Sequence, residues 1–249
     1  MHRRAPGRPS LLALVAALLL GCGSSTPTPA TSTTPATSAV PSPSAVPSPS
    51  LLPSPSPTVV PLPPGTLAWP TDFQVALSVD RYSVSPPFVV PVSIAIGETG
   101  WHTGHTNPVF TDLQRYDGVA LDELPTTMLA FAWPETFQGV DGAVPIEGLT
   151  PDAAFDLLEG RSSLEVGDRE PIDVAGLRGA RVDLHSAVGN NPIFGSEEGN
   201  FGAQPELDVR LAVLPHLDRL LVLLVMAPPG ELEDAWARTL PIIESIELL

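Results

Sequence analysis

The stretch "LDVRLAVLPHLDRLLVLLVMAPPGELEDAWARTLPIIESIEL", residues 207–248, decides the fold class. Leu207, Val209, Leu211 and Val213 fall on one face and Asp208 and Arg210 on the other, the two-residue period of a half-buried strand. "PHLD" (215–218) then reads as a four-residue turn, and "RLLVLLVMA" returns antiparallel to the first strand. This second strand, Arg219 to Ala227, has no polar face, so it belongs at the centre of a sheet covered on both sides. After "APPG" the period lengthens. Leu232, Ala235, Trp236, Leu240 and Ile243 recur at helical spacing, with Glu231, Glu233 and Asp234 at the N-terminal end. Pro241 removes one i→i−4 bond and predicts a kink or a split. Trp236 is expected to fold back onto the apolar strand.

Upstream, "FQVALSV" (73–79), "FVVPVSIAI" (88–96), "TMLAFAW" (127–133) and "ARVDLHSA" (180–187) are further strand candidates. A short helix is marked by Thr150 as cap, Pro151 at its first position and Asp152 in its first turn. Ala154, Leu157 and Leu158 form its buried stripe and Gly160 ends it. Arg178, Arg181, Arg210 and Arg219 lie in or beside strands, where they pair with acids such as Asp183 and Asp208 or converge on an anionic ligand. Together these elements predict a single α+β domain over 66–249, an antiparallel β-sheet packed by helices.

Ahead of that domain the composition changes. From Gly23 to Pro64 there are 13 Pro and 17 Ser or Thr in 42 residues, with no charge and no aromatic ring. Proline withholds donors and Ser and Thr supply no core, so residues 22–65 read as a disordered tether with a polyproline II preference. The composition also suits an O-glycosylated stalk. Residues 1–21 read as a leader. Arg3, Arg4 and Arg8 precede a ten-residue apolar run from Leu11 to Leu20, about 15 Å of helix and half a bilayer core. "LLGC" resembles a bacterial lipobox, which makes Cys22 the acylated N-terminus of the mature chain and membrane lipid its first partner.

Net charge is −16 in 249 residues, carried by 28 acids against 12 arginines and no lysine. A field of this sign repels phosphates, so no nucleic-acid partner is expected. Cys22 is the sole cysteine, which excludes an internal disulfide and any Cys-based metal cluster. No cofactor motif is present: Walker, G-x-G-x-x-G, EF-hand and G-x-S-x-G patterns are all missing.

Two places hold residues with chemical potential. "GETGWHTGHTN" (97–107) supplies Glu98, His102 and His105 on a segment whose glycines predict a loop. Such a loop either gathers two imidazoles and a carboxylate around a metal ion, or is a solvated surface turn whose Trp101 plugs the core edge. In "VDLHSA" Asp183 and His185 share one strand face while Ser186 points to the other, so the three do not align as a triad. The paired acids of "GSEEG" (195–199) read as solvated, and His216, in the expected turn, as exposed.

Three stretches resemble a known group. They are the strand leading to Gly100 and Trp101, "PIDVAGLRGARVDLHSA" (171–187), and the C-terminal strand, "APPG" break and helix ending in "ESI". They are similar to the Lpq-type cell-envelope lipoproteins of actinobacteria (high-GC Gram-positive bacteria) with a PsbP-like domain. The resemblance implies an antiparallel sheet covered by helices, and it maps no catalytic motif onto this chain.

The sequence therefore points to a membrane-anchored extracytoplasmic lipoprotein, held at the cell membrane and facing outward, whose domain binds an envelope protein or small-molecule ligand without catalysis. The alternative is a secreted hydrolase or metal-dependent enzyme built on His102 and His105, or on Asp183 and His185.

Overall fold

The computed structural model describes residues 62–85, 88–197 and 199–249; the leader, Cys22 and nearly all of the tether lie outside them. In chain order the elements are β1 (Leu67–Ala68), β2 (Asp80–Ser83), β3 (Val92–Ile96), β4 (Trp101–Asn107), β5 (Phe110–Arg115) and β6 (Thr127–Ala132). There follow β7 (Thr136–Gly139), β8 (Gly142–Pro145), α1 (Pro151–Glu159), β9 (Leu164–Val166), β10 (Glu170–Val174) and β11 (Leu177–Ser186). The last are β12 (Asn191–Ser196), β13 (Gly199–Ala203), β14 (Asp208–His216), β15 (Arg219–Ala227), α2 (Leu232–Glu244) and β16 (Glu247–Leu248).

The main antiparallel sheet runs β10-β11-β14-β15-β6-β5-β4, with β9 also paired to β11. The all-apolar β15 is fourth of seven on this path, as its missing polar face requires. Its alternate residues divide between two cores. Leu220, Val222, Leu224 and Met226 pack with Phe155 of α1 and with Phe137 and Ile193 of a small sheet, β13-β12-β7-β8. Leu221, Leu223, Val225 and Ala227 pack with α2 and with Ile94 and Ile96 of the other small sheet, β1-β2-β3-β16. Each fully buried Leu or Val contributes about 1.5–3 kcal/mol relative to exposure, so this one strand stitches two layers together.

The helices follow their expected ends. Thr150 Oγ1 accepts the Ala153 N–H at 3.2 Å, Pro151 opens α1, and Phe155 joins Ala154 and Leu158 in its buried face while Leu157 is half-buried. α2 is one helix that continues through Pro241, so of the kink or split expected there the split does not occur. It costs one backbone bond, and Trp236, Thr239, Ile242 and Ile243 on its buried face hold the turns on either side.

Other readings change. With sixteen strands and two helices among the described residues, the fold is mostly β rather than a balanced α+β. The β14–β15 turn is two residues, not four, because His216 and Arg219 still pair. His216 is half-buried against Trp133, ring centres 5.7 Å apart. "FQVALSV" forms only an isolated bridge, Ala76 to His102; Gln74 adopts φ 59°, which breaks the extended run. The Gly-rich 97–107 segment is not a loop: residues 101–107 are β4, an edge strand whose Trp101 lies fully inside the core. Gly and polar residues concealed this strand, as they did β12 and β13, because their pairing is tertiary.

Candidate functional site

β4 and β5 pair with a bulge between Thr103 and Thr106. The bulge has a cause in Gly104: any Cβ there would collide with the carboxylate of Asp112 on β5. Asp112 is only 1% exposed and makes no ion pair among the described residues. Its Oδ1 accepts the His105 backbone N–H at 2.7 Å and its Oδ2 accepts Gln114 Nε2 at 2.7 Å. Burial pushes its pKa from 3.8 up to about 6 against the pull of those two bonds. The bonding continues outward: Tyr116 Oη donates to Gln114 Oε1, and Gln74 Nε2 donates to Tyr116 Oη at 3.2 Å and to the Leu121 carbonyl.

Two residues before Asp112, on the same face of β5, Phe110 opens an apolar cleft of about 260 Å³. Phe201 on β13 stacks between Phe110 (5.4 Å) and Phe194 (5.3 Å, planes 9° apart). Gly199 leaves open space beside the rings, Gly195 makes way for the Asn200 side chain, and His105, Asn107 and Asn200 supply polar groups around them. An apolar wall with a few polar groups is the usual composition of a small-molecule site.

A second cleft, about 490 Å³, lies beside the N-terminus of α2. Glu165, His185 and Asp208 form one cross-strand row over β9, β11 and β14. His185 Nδ1 and Asp208 Oδ1 are 2.9 Å apart, and Asp208 Oδ2 accepts the Gly230 N–H at 3.0 Å. In the next row the Asp183 carboxylate is bidentate on Arg210, at 2.7 and 2.8 Å, and Glu233 of α2 closes on the same guanidinium at 2.5 Å. These bonds hold Arg210 charged and draw the Glu233 pKa below its usual range.

Asp183 and His185 lie on one face of β11, as their spacing implies, and line the same cleft, but each serves a different partner. Ser186 faces away and is bonded to Val188 O, Gly189 O and Asn191, so no triad forms there. In the sequence Asp208 shows only as the polar side of the "LDVRLAVL" alternation; its place beside His185 is readable only once the register with β11 is known. The metal candidates separate. Glu98 binds Arg115, His102 faces the Tyr116 ring (5.8 Å) and His105 the Phe73 ring (4.8 Å). Among the described residues no three His, Cys, Asp or Glu could hold one ion. Of the four arginines, Arg178, Arg181 and Arg210 pair with Asp173, Glu170 and Asp183, while Arg219 lies 5.1 Å over Trp133. No helix among the described residues is long and apolar enough to cross a membrane.

No family model and no curated protein matches the chain in sequence. Solved structures similar to it include a crystal structure from Bacteroides thetaiotaomicron, 11% identical with a TM-score of 0.35, covering 65% of this chain and 47% of that one. The chain spans about half the length of that protein. The solution structure of cyanobacterial PsbP (CyanoP) from Synechocystis is 11% identical with a TM-score of 0.38, covering 68% of this chain and 92% of that one.

Proposed function

We propose that this chain is an actinobacterial-type lipoprotein, anchored by acylated Cys22 at the outer face of the cell membrane, whose β-rich domain binds a small apolar ligand without catalysis. The observation that carries the binding role is the Phe110–Phe201–Phe194 stack walling an apolar cleft with His105, Asn107 and Asn200 around it. The anchor rests on the "LLGC" junction and the short apolar run before it. The ligand is a flat or chain-like apolar body with a hydrogen-bonding end. The test uses the neutral probe N-phenyl-1-naphthylamine on the full chain carrying Cys22→Ser. Saturable fluorescence enhancement that Phe201→Ser weakens at least about tenfold supports the cleft, at roughly 1.4 kcal/mol per decade; no saturable binding removes it. Intact mass of membrane-extracted protein tests the anchor, and a chain without acyl groups on Cys22 ends that part.

One observation favours a second reading, a general acid–base enzyme: the His185–Asp208 pair in the second cleft, with His185 Nε2 left for a substrate. Turnover of an ester or amide panel that is lost in His185→Gln and kept in Phe201→Ser would favour it over binding.

A further inference from the structure

Asp112 is a buried carboxylate in a protein rich in exposed ones, and its surroundings are all donors. Both of its recorded partners, the His105 N–H and the Gln114 amide, give hydrogens to it. Neither of these partners can accept a proton added to Asp112 unless the Gln114 amide turns over. Turning it over reverses the bond that Gln114 Oε1 receives from Tyr116. It also changes the bonds that Tyr116 and Leu121 receive from Gln74. At the other end, the ionised form makes a charge-assisted bond to His105 N–H, which is stronger than the same bond to a neutral carboxyl. That bond fixes the bulge which brings His105 to the apolar cleft.

We propose that Asp112 is a positioning residue for the apolar cleft, and that its protonation loosens the His105 wall so that ligand affinity falls in mild acid. The inference rests on the cleft being the binding site. The groups facing Asp112 from its neighbours are few: His105 on β4 and the neutral Gln114 on its own strand, with Ala130 opposite on β6. His105 is the one other titratable group in this set, so the test must separate it from Asp112. The elevated Asp112 pKa, about 6, places the transition in an accessible range.

The experiment titrates N-phenyl-1-naphthylamine into the full chain carrying Cys22→Ser between pH 5 and 8. The expected result is an affinity about fivefold or more lower at pH 5 than at pH 7.5, within the usual range of site-to-site coupling. Asp112→Asn should hold the low affinity at every pH, and His105→Gln, which keeps the backbone N–H, should retain the pH dependence. Binding that stays flat in pH overturns the inference and leaves the cleft reading intact. A pH dependence lost in His105→Gln but kept in Asp112→Asn also overturns it, assigning the effect to the ring. Absence of probe binding at any pH overturns the cleft reading and the inference together. Should Asp112→Asn not fold, the residue-105 amide proton shift in His105→Gln, which has no imidazole to titrate, decides: an inflection near pH 6 supports the assignment, and none between pH 5 and 7 rejects it.

Discussion

The guanidinium carbon of Arg210 lies 5.2 Å from the centre of the Trp236 ring, and that of Arg181 lies 4.8 Å from the same ring. At Arg210, therefore, the side of β14 that looks polar in sequence is interior. Arg210 is 4% exposed, sealed beneath α2 by an indole and joined to that helix through Glu233. An arginine stem buries apolar surface as readily as it carries charge, so a polar position in the alternation became part of the core.

Trp236→Ala should cost about 3–5 kcal/mol, the usual loss for a buried aromatic, because the side chain is 9% exposed and anchors α2 to the sheet. Glu233→Ala should cost under about 1 kcal/mol, since Glu233 is solvent-exposed and Asp183 still holds Arg210 through Nε and Nη2. Urea melts of both variants measure this; a Trp236→Ala cost below about 1 kcal/mol would mean that the helix is not held by this ring.

The buried Asp112 gives stability an unusual pH dependence. Its folded pKa is raised, from 3.8 to about 6, so its contribution is full below about 3.8 and is lost as pH rises through 6. Relative to Asp112→Asn, the parent should lose roughly 3 kcal/mol between pH 3.5 and 7.5, from about 1.4 kcal/mol per pKa unit. Paired denaturation curves at the two pH values isolate this group from the ordinary carboxylates, and a constant difference between parent and variant would contradict it.

Gly104→Ala should be severely destabilising, because the methyl group meets the Asp112 carboxylate. Asp112→Ala should relieve part of that cost. A double-mutant cycle is expected to give a favourable coupling of about 1–3 kcal/mol, and additivity within about 0.5 kcal/mol would refute the contact.

Leu217 closes the β14–β15 hairpin with φ 55° and is 87% exposed. Left-handed backbone costs a branched side chain roughly 1–2 kcal/mol, and nothing there repays it. Leu217→Gly is expected to raise Tm by about 2–4 °C; a lowered Tm would show that the leucine has a packing role.

From the sequence alone came the features that depend on neighbours along the chain. The β14–β15 hairpin, the central place of β15, the Thr150 cap and the α2 stripe all follow from period and capping chemistry within a dozen or so residues. The burial of Trp236 follows too, because an apolar strand needs a cover and the next segment supplies an apolar stripe. The tertiary structure alone decided what depends on register between distant strands. His185 meets Asp208 because β11 and β14 align, Asp112 is buried because β4 bulges over it at Gly104, and three phenylalanines from residues 110, 194 and 201 stack because a small sheet folds onto the main one. Side-chain period is local, whereas the pairing of Gly-rich and polar strands is set by which faces can close together, and that has no signature along the chain.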